Sequence, residues 1–490
     1  MQKNDEIKSK AVSGAIWKFL ERLSAQMVSM VVTVILARLL QPGDYSTVSI
    51  VSVFFTFANV FISSGFNVAL IQKKEADVES YSSALFLSLG LAFAMYVGLF
   101  AAAPAIAALY DQALLVPVIR VMGLILPINA VKSIVCAYIS ANLQFRKFFF
   151  ATIGGTLASA VVGITMAYRG FGPWALVAQQ MTTALIHTII LLATTKIAFV
   201  FRISFKKVRD LFNYSWKIVV SSVIDVAYKQ INPLFIGLRY SGTDLAYYAK
   251  GKSFPELLSG VCSNTLSAVL FPVLSKFQSD RDAVVRGLRR YNKTASFVVF
   301  PALLGFFAIA DNFVELVLTE KWMSVAAYIR IFCLSEMVMS VEAGNRETLK
   351  ALGRSDIFLK YEIIKKCMFF TIIAMVIFWT DSPVLLAYSA IGCAAVVLFT
   401  SMFTNARILN YSIGAQLRDL TPNLFCTVMM CLAVQAVRVA SMPVGVELIL
   451  QILVGAGVYI GACLMIRNES LAYVWGRVKP ALMGMLRRKV

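Results

Sequence analysis

The chain has 490 residues, of which 59% are hydrophobic and 15% are charged, and its mean hydropathy is +0.76. Soluble globular chains typically carry about 25% charged residues, so this composition indicates a protein whose solvent is a lipid bilayer. A membrane-spanning helix needs about 20 mostly apolar residues. The chain can therefore hold many spans, and little length remains for a separate soluble catalytic domain.

The net charge of +20 does not indicate nucleic-acid binding, because the basic residues do not gather into one surface interleaved with aromatic residues. They recur as short clusters between apolar runs, which is the pattern that the positive-inside rule predicts. The eight cysteines form no C-x-x-C pair and His187 is the single histidine, so we expect neither a zinc site nor a disulfide framework. We predict no nucleic-acid partner and no cofactor.

About fourteen hydrophobic segments follow one another along the chain. They lie near residues 11–40, 46–71, 81–103, 117–141, 148–168, 172–195, 212–238, 252–275, 294–318, 325–349, 356–379, 384–406, 420–440 and 444–466. Connections rich in lysine and arginine alternate with connections that are poor in them, which favours an even number of spans with both termini in the cytoplasm. After the last segment the chain mixes basic and apolar residues, which predicts an amphipathic helix on an anionic membrane surface.

A weak internal repeat relates the two halves of the sequence. Trp17-Lys18 corresponds to Trp216-Lys217, and Ile119-Arg120 corresponds to Ile329-Arg330, at an offset of about 200 to 210 residues. We therefore predict an all-α, polytopic membrane protein with two six-helix lobes, two additional helices and a basic amphipathic tail. Their boundaries are 1–205, 206–410, 411–466 and 467–490. Parallel repeats of this kind are typical of transporters that work by alternating access.

Ionisable side chains occur inside several predicted spans, where each costs about 2.5 to 3.5 kcal/mol at the bilayer centre if it meets lipid. The simplest interpretation is a hydrated, mainly cationic cavity between the two lobes. The predicted substrate-binding cations are Lys18, Arg22, Lys132, Lys217, Lys229 and Arg346. The predicted ion-coupling carboxylates are Asp225, Glu342 and Glu21, and the predicted polar residues of the cavity are Asn129, Tyr228, Asn232 and Asn345.

Local pairing is an alternative explanation for these charges, because each carboxylate stands three or four positions from a base on the same predicted helix. Glu342 and Arg346, for example, have the spacing of an i, i+4 ion pair. Three further bases, Lys360, Lys365 and Lys366, are expected to extend toward the cytoplasmic interface of the membrane.

Four short motifs carry a resemblance to a known family. They are Ser13-Gly14-Ala15-Ile16-Trp17, Ala37-Arg38-Leu39-Leu40-Gln41-Pro42-Gly43-Asp44-Tyr45, Phe171-Gly172-Pro173-Trp174-Ala175-Leu176 and Ala351-Leu352-Gly353-Arg354-Ser355. Together they resemble bacterial polysaccharide transporters of the Wzx flippase type, especially the colanic-acid exporter branch of the multidrug/oligosaccharidyl-lipid/polysaccharide exporter superfamily. The resemblance implies fourteen helices in two lobes, a bacterial inner-membrane location and alternating access driven by a proton or sodium gradient. It also implies a substrate made of an oligosaccharide linked to undecaprenyl pyrophosphate.

The residues and the resemblance together predict a non-enzymatic flippase whose cavity cations bind the anionic head group of its substrate. The expected partners are membrane lipids and the polysaccharide polymerase or export machinery, and the expected state is a monomer. A drug or small-molecule exporter of the same superfamily is the first alternative, although it would favour an acidic, aromatic cavity. A membrane-embedded polysaccharide polymerase or ligase is the second alternative, and it would need a longer outer loop than the sequence provides.

Overall fold

The computed structural model consists of α-helices and their connections, with no strand in the residues that it describes. These residues are 2–63, 66–67, 70, 77–142, 144–195, 197, 199–200, 204–277, 280–440 and 442–472. The chain divides into two compact units, Met1–Ala246 and Tyr247–Val490. The predicted lobe boundaries at residues 205 and 410 came from the repeat and stay predictions.

In its described residues, the first unit contains eight helices and the start of a ninth. The eight are α1 (Gln2–Leu39), α2 (Pro42–Ser63), α3 (Val78–Leu109), α4 (Leu115–Met122), α5 (Ile125–Ala141), α6 (Arg146–Tyr168), α7 (Pro173–Thr195) and α8 (Phe205–Arg239). Helix α2 contacts α3, α5, α7 and α8, while α1 packs on α6 and α6 packs on α7. The interruption between α4 and α5 falls at Gly123, where a Cβ atom would lie 2.4 Å from the ring of Tyr96.

The second unit begins within the next helix, α9 (Gly242–Lys276). Its further α-helices are α10 (Arg281–Ala308), α11 (Ala310–Phe313), α12 (Val325–Ala351), α13 (Ser355–Trp379), α14 (Pro383–Leu409), α15 (Ile413–Val437) and α16 (Val444–Met465). A π-helix, Val314–Leu318, extends α11, and the axis bends by 72° between α10 and this segment. Helix α10 contacts α12 and α15, and α12 also contacts α14.

Many helices of the described chain are long and apolar enough to cross a membrane. Nine meet this description, and the bent pair at the end of α10 raises the number to ten. Helices α8, α9, α12 and α13 are also long, at 35, 35, 27 and 25 residues, but each contains several charged residues. Large apolar side chains face outward, such as Trp379, which is 93% exposed, as expected for a surface in contact with lipid. The chain is a multi-pass helical membrane protein; the count of fourteen spans and the repeat stay predictions.

Candidate functional site

A buried carboxylate on α12 lies at the centre of a charged group in the second unit. The Glu342 side chain is 0% exposed, and its Oε1 atom accepts a hydrogen bond from Tyr361 Oη at 2.6 Å. Arg346 Nε lies 4.0 Å and Lys365 Nζ lies 3.8 Å from the same oxygen. A buried carboxylate without partners is strongly destabilising, so these three groups stabilise its charge. We call Glu342, Arg346, Tyr361 and Lys365 the Glu342 cluster.

Further carboxylates surround the two bases of the Glu342 cluster. Arg346 Nε lies 3.8 Å from Glu347 Oε1, and Lys365 Nζ lies 3.6 Å from Glu362 Oε1. The two bases differ in accessibility, because the Arg346 side chain is 33% exposed and the Lys365 side chain is 8% exposed. Arg346 is therefore the base of this cluster that a ligand can reach, and guanidinium groups bind carboxylate and phosphate oxygens through paired hydrogen bonds.

The sequence predicted part of this cluster. It identified Glu342 and Arg346 and gave their pairing as an alternative, and the structure places them within ion-pair distance. The expectation that Lys365 extends to the membrane interface is wrong, because its side chain is buried against Glu342. Tyr361 was missed: it stands 19 positions from Glu342, and no helical spacing connects residues on α12 and α13.

Asn345 joins α12 to α14 through an amide network. Its Oδ1 accepts a hydrogen bond from Asn405 Nδ2 at 3.1 Å, and its Nδ2 donates to Ser401 Oγ at 3.3 Å. All three side chains are buried. This predicted cavity residue therefore connects two helices of the second unit, an arrangement that stabilises helix packing where water is absent.

A half-buried carboxylate, Glu336, lies on α12 and is bonded from α9. Ser259 Oγ donates a short hydrogen bond to Glu336 Oε2. Lys252 and Glu256 are nearby on α9 and form an i, i+4 ion pair of 3.4 Å. Sequence reasoning did not select Glu336 as a coupling residue, because the serine that holds it is 77 positions away in the chain.

In the first unit, helix α5 carries two of the predicted site residues, Asn129 and Lys132. Asn129 Nδ2 donates a hydrogen bond to Asn59 Oδ1 at 2.9 Å, which joins α5 to α2. Lys132 stands three residues later on α5 and is half-buried. Lys132 could be identified from the sequence because it is a charged residue within an apolar segment. Asn59, the partner of Asn129, was not identified from the sequence.

The predicted residues of α1 have different environments. Glu21 Oε1 accepts a hydrogen bond from Thr152 Oγ1 at 3.0 Å, which connects α1 with α6. Arg22 is exposed. The side chain of Lys18 lies outside the described part of the structure.

The predicted stripe on α8 contains both exposed and buried members. Asp225 and Lys229 are exposed and Tyr228 is half-buried. Asn232 is buried, and in the described residues its Oδ1 atom has no hydrogen-bond partner. Asn232 precedes Pro233, which lacks an N–H donor, so α8 lacks one backbone hydrogen bond at this point. The side chain of Lys217 lies outside the described residues.

The arrangement is suited to binding anions and to exchanging small cations at carboxylates. Bases and carboxylates occur inside long helices of both units, where ionised groups indicate a substrate or ion pathway. Among the described residues, no group of three or more His, Cys, Asp or Glu side chains is placed to hold a metal ion.

Solved structures with the same fold define the class of protein. The chain matches the lipid II flippase MurJ in an inward closed conformation with a TM-score of 0.73, at 12% identity, over 93% of this chain and 99% of that one. It matches an inward-facing multidrug resistance MATE family transporter of the MOP superfamily with a TM-score of 0.62, at 14% identity, over 81% of this chain and 99% of that one. At these identities the likeness establishes the fold, which is that of the MurJ and MATE transporters.

The chain belongs to the polysaccharide biosynthesis protein family, whose model matches residues 35–327. It is similar to the succinoglycan biosynthesis transport protein ExoT of Rhizobium meliloti, with 23% identity over 71% of each chain. It is also similar to the lipopolysaccharide biosynthesis protein WzxC of Escherichia coli, with 22% identity over 74% of each chain. The resemblance to Wzx-type transporters is confirmed, and the chain is a membrane transporter rather than an enzyme.

Proposed function

We propose that this transporter flips an oligosaccharide repeat unit, linked to undecaprenyl pyrophosphate, across the bacterial inner membrane, with both of its termini in the cytoplasm. The observation that carries the proposal is membership of the polysaccharide biosynthesis family over residues 35–327. Relatives named as transport or flippase proteins support it, as does a fold shared with a flippase for a lipid-linked substrate. A carrier for such a substrate needs cationic side chains within its spans, because the pyrophosphate group is anionic.

The proposed binding groups are the six cations identified from the sequence. Of those whose side chains are described, Arg346 is partly exposed, Lys132 is half-buried, and Arg22 and Lys229 are exposed. All four are accessible in some degree, which an incoming anion requires. Lys18 and Lys217 complete the proposed set on the basis of the repeat.

Ion coupling is proposed to act through Glu342, with Asp225 and Glu21 as the other candidates. Charged Glu342 attracts Arg346 and Lys365, which lie 4.0 and 3.8 Å from its Oε1. A proton or sodium ion at Glu342 cancels this attraction. Arg346 then keeps one carboxylate, Glu347 at 3.8 Å, and becomes more available to a substrate anion. The gradient would drive alternating access by changing the charge of one buried carboxylate.

The function is tested by reconstituting the full chain into liposomes with a fluorescent oligosaccharide on undecaprenyl pyrophosphate. The expected result is gradient-stimulated movement of the substrate between leaflets, measured as the fraction that an external quencher can reach. Empty liposomes and a neutral lipid-linked sugar are the controls. Movement equal to that in empty liposomes, combined with export of small organic cations, would support the drug-exporter alternative instead.

The coupling role is tested by Glu342→Gln, which removes the charge and keeps the shape. The variant is expected to lose the stimulation by the gradient, because the Glu342 charge that attracts Arg346 is then absent in every state. Glu362→Gln is the matched control, since Glu362 forms its ion pair with Lys365 at 3.6 Å, whereas the ion pairs of Arg346 are with Glu342 and Glu347. Glu342 is removed from the coupling role if its variant responds to the gradient as the unmodified protein does.

A further inference from the structure

A basic cleft opens at one end of the second unit, where α10 and α15 begin and where the chain leaves α16. It consists of two adjoining cavities of about 470 and 460 Å³ that share Arg289, Lys293, Glu469 and Ser470 as lining residues. The other ionisable residues of its lining are Arg286, Arg290, Arg418, Arg467 and Asp419. Six bases therefore face two carboxylates, which leaves an excess of four positive charges in the cleft.

The two carboxylates orient Arg289 and Lys293, and Arg286 lies 3.8 Å from Asp280, which is outside the lining of the cleft. Asp419 is buried, and its carboxylate accepts hydrogen bonds from Arg289 at 2.7 and 3.3 Å. Lys293 Nζ lies 2.7 Å from Glu469 Oε2 and 3.7 Å from Asp419 Oδ1. Arg418 and Arg467 are exposed in the cleft, and neither forms an ion pair with a carboxylate in the described part of the chain. The positive excess is thus carried by accessible guanidinium groups.

Buried amides hold the wall of the cleft in place. Asn423 Nδ2 donates to Lys293 O at 2.9 Å and to Ser296 Oγ at 2.8 Å, which joins α15 to α10. Asn468 Nδ2 donates to Asn423 Oδ1 at 2.7 Å, which adds the segment after α16. The bases therefore stand on a preorganised scaffold, and preorganisation favours binding because little side-chain and backbone freedom is lost.

The position of the cleft along the helices matches the level of lipid phosphates. Helices α15 and α16 are both apolar spans. Arg418 is the sixth residue of α15, and Arg467 follows the last residue of α16, Met465, by two positions. The cleft therefore lies where the hydrocarbon core ends and the headgroup layer begins.

We propose that the basic cleft binds the phosphate of an anionic phospholipid from the adjoining leaflet. Its chemistry fits such a ligand because guanidinium groups bind phosphate oxygens through paired, charge-assisted hydrogen bonds. A bound headgroup connects α10, α15 and the segment after α16 through one anion. This binding does not depend on which substrate the protein transports.

The test measures lipid binding by the full chain in detergent, using native mass spectrometry with phosphatidylglycerol and phosphatidylcholine. The cleft variant is Arg286→Gln, Arg418→Gln and Arg467→Gln, which leaves the buried Asp419 pair intact. The matched control is Arg281→Gln, Lys360→Gln and Arg407→Gln, which removes the same charge from exposed bases outside the cleft. Far-ultraviolet circular dichroism and size-exclusion profiles establish that both variants are folded.

We expect the cleft variant to lose about 100-fold in affinity for phosphatidylglycerol, since it removes three bases and each base near an anionic headgroup contributes a factor of about 5. The control variant is expected to retain its affinity within about twofold, and phosphatidylcholine binding is expected to be unchanged in both. Glu469→Gln should strengthen phosphatidylglycerol binding, because it removes a carboxylate from the cleft. Equal losses of phosphatidylglycerol affinity in the two triple variants would overturn the proposal. Complete displacement of the bound lipid by inorganic phosphate would also overturn it.

Discussion

Tyr361→Phe tests whether the buried carboxylate of α12 is charged and depends on its phenol donor. The substitution removes one oxygen atom and leaves Glu342 Oε1 without the donor that lies 2.6 Å away. Both side chains are almost fully buried, at 2% and 0% exposure, so water does not replace the lost donor. A hydrogen bond to a charged group contributes about 1.5 to 3 kcal/mol, and we expect the free energy of unfolding to fall by that amount.

The same substitution is expected to cost less when the carboxylate is neutral. In a Glu342→Gln background, the phenol donates to an amide oxygen, and neutral hydrogen bonds between membrane helices average about 0.6 kcal/mol. The two substitutions should therefore be coupled by about 1 to 2 kcal/mol in a double-mutant cycle.

The assay is equilibrium unfolding of the purified protein in mixed micelles, followed by tryptophan fluorescence and circular dichroism. Tyr388→Phe is the matched control, because this tyrosine on α14 is 52% exposed, and its removal should change the unfolding free energy by less than about 0.5 kcal/mol. Strictly additive effects of the Tyr361 and Glu342 substitutions would refute the reasoning, since they would mean that the hydrogen bond does not depend on the carboxylate charge.

Three further predictions use the same unfolding assay. Gly242→Ala should cost about 1 to 3 kcal/mol, because its Cβ would lie 1.9 Å from Ser46 Oγ; Gly43→Ala has nothing within 4 Å and should be neutral. Asn312→Ala should cost about 1 to 3 kcal/mol, because it removes a donor 2.7 Å from a buried glutamate on α16; equal stability would contradict it. Lys293 holds the pKa of the Glu469 carboxyl below its ordinary value. Because Glu469 is exposed, this ion pair should stabilise the fold by less than about 1 kcal/mol. The stabilisation should be complete above the ordinary glutamate pKa and should be lost as the pH falls through the lowered pKa of Glu469. If Glu469→Gln has the same dependence of stability on pH as the unmodified protein, the prediction is wrong.

The helical, multi-pass architecture could be predicted from sequence because hydrophobic length alone identifies a span. Breaks in helices were harder to predict. The 72° bend at the end of α10 occurs around Ile309, four positions after the nearest glycine, Gly305, and eight after the nearest proline, Pro301. The bend is accompanied by contacts from distant helices, such as the bond that Gln435 Nε2 donates to Ala308 O at 3.2 Å. Interactions of this range leave no local signal in the sequence.

The charged residues of the site could be found one by one, but their partners could not. An ionisable residue in an apolar run is conspicuous, which is why Glu342 and Arg346 were selected. The side chains that complete the environment, Tyr361 and Lys365, lie on another helix, and their contact depends on how α12 and α13 pack. For the same reason Lys365 was assigned to the membrane interface, whereas its side chain is buried against Glu342.

The Glu342 cluster and the basic cleft differ in charge balance, and this difference fits the two roles proposed for them. Around the Glu342 cluster, three carboxylates face three bases, counting the Glu347–Lys350 pair at 2.8 Å. An anion can bind there with net attraction only after a proton or cation has neutralised a carboxylate, which is the requirement for coupled transport. The basic cleft has an excess of four positive charges, so it is attractive to anions at all times. Permanent attraction suits a lipid that stays bound. It would not suit a transported substrate, because the substrate has to be released.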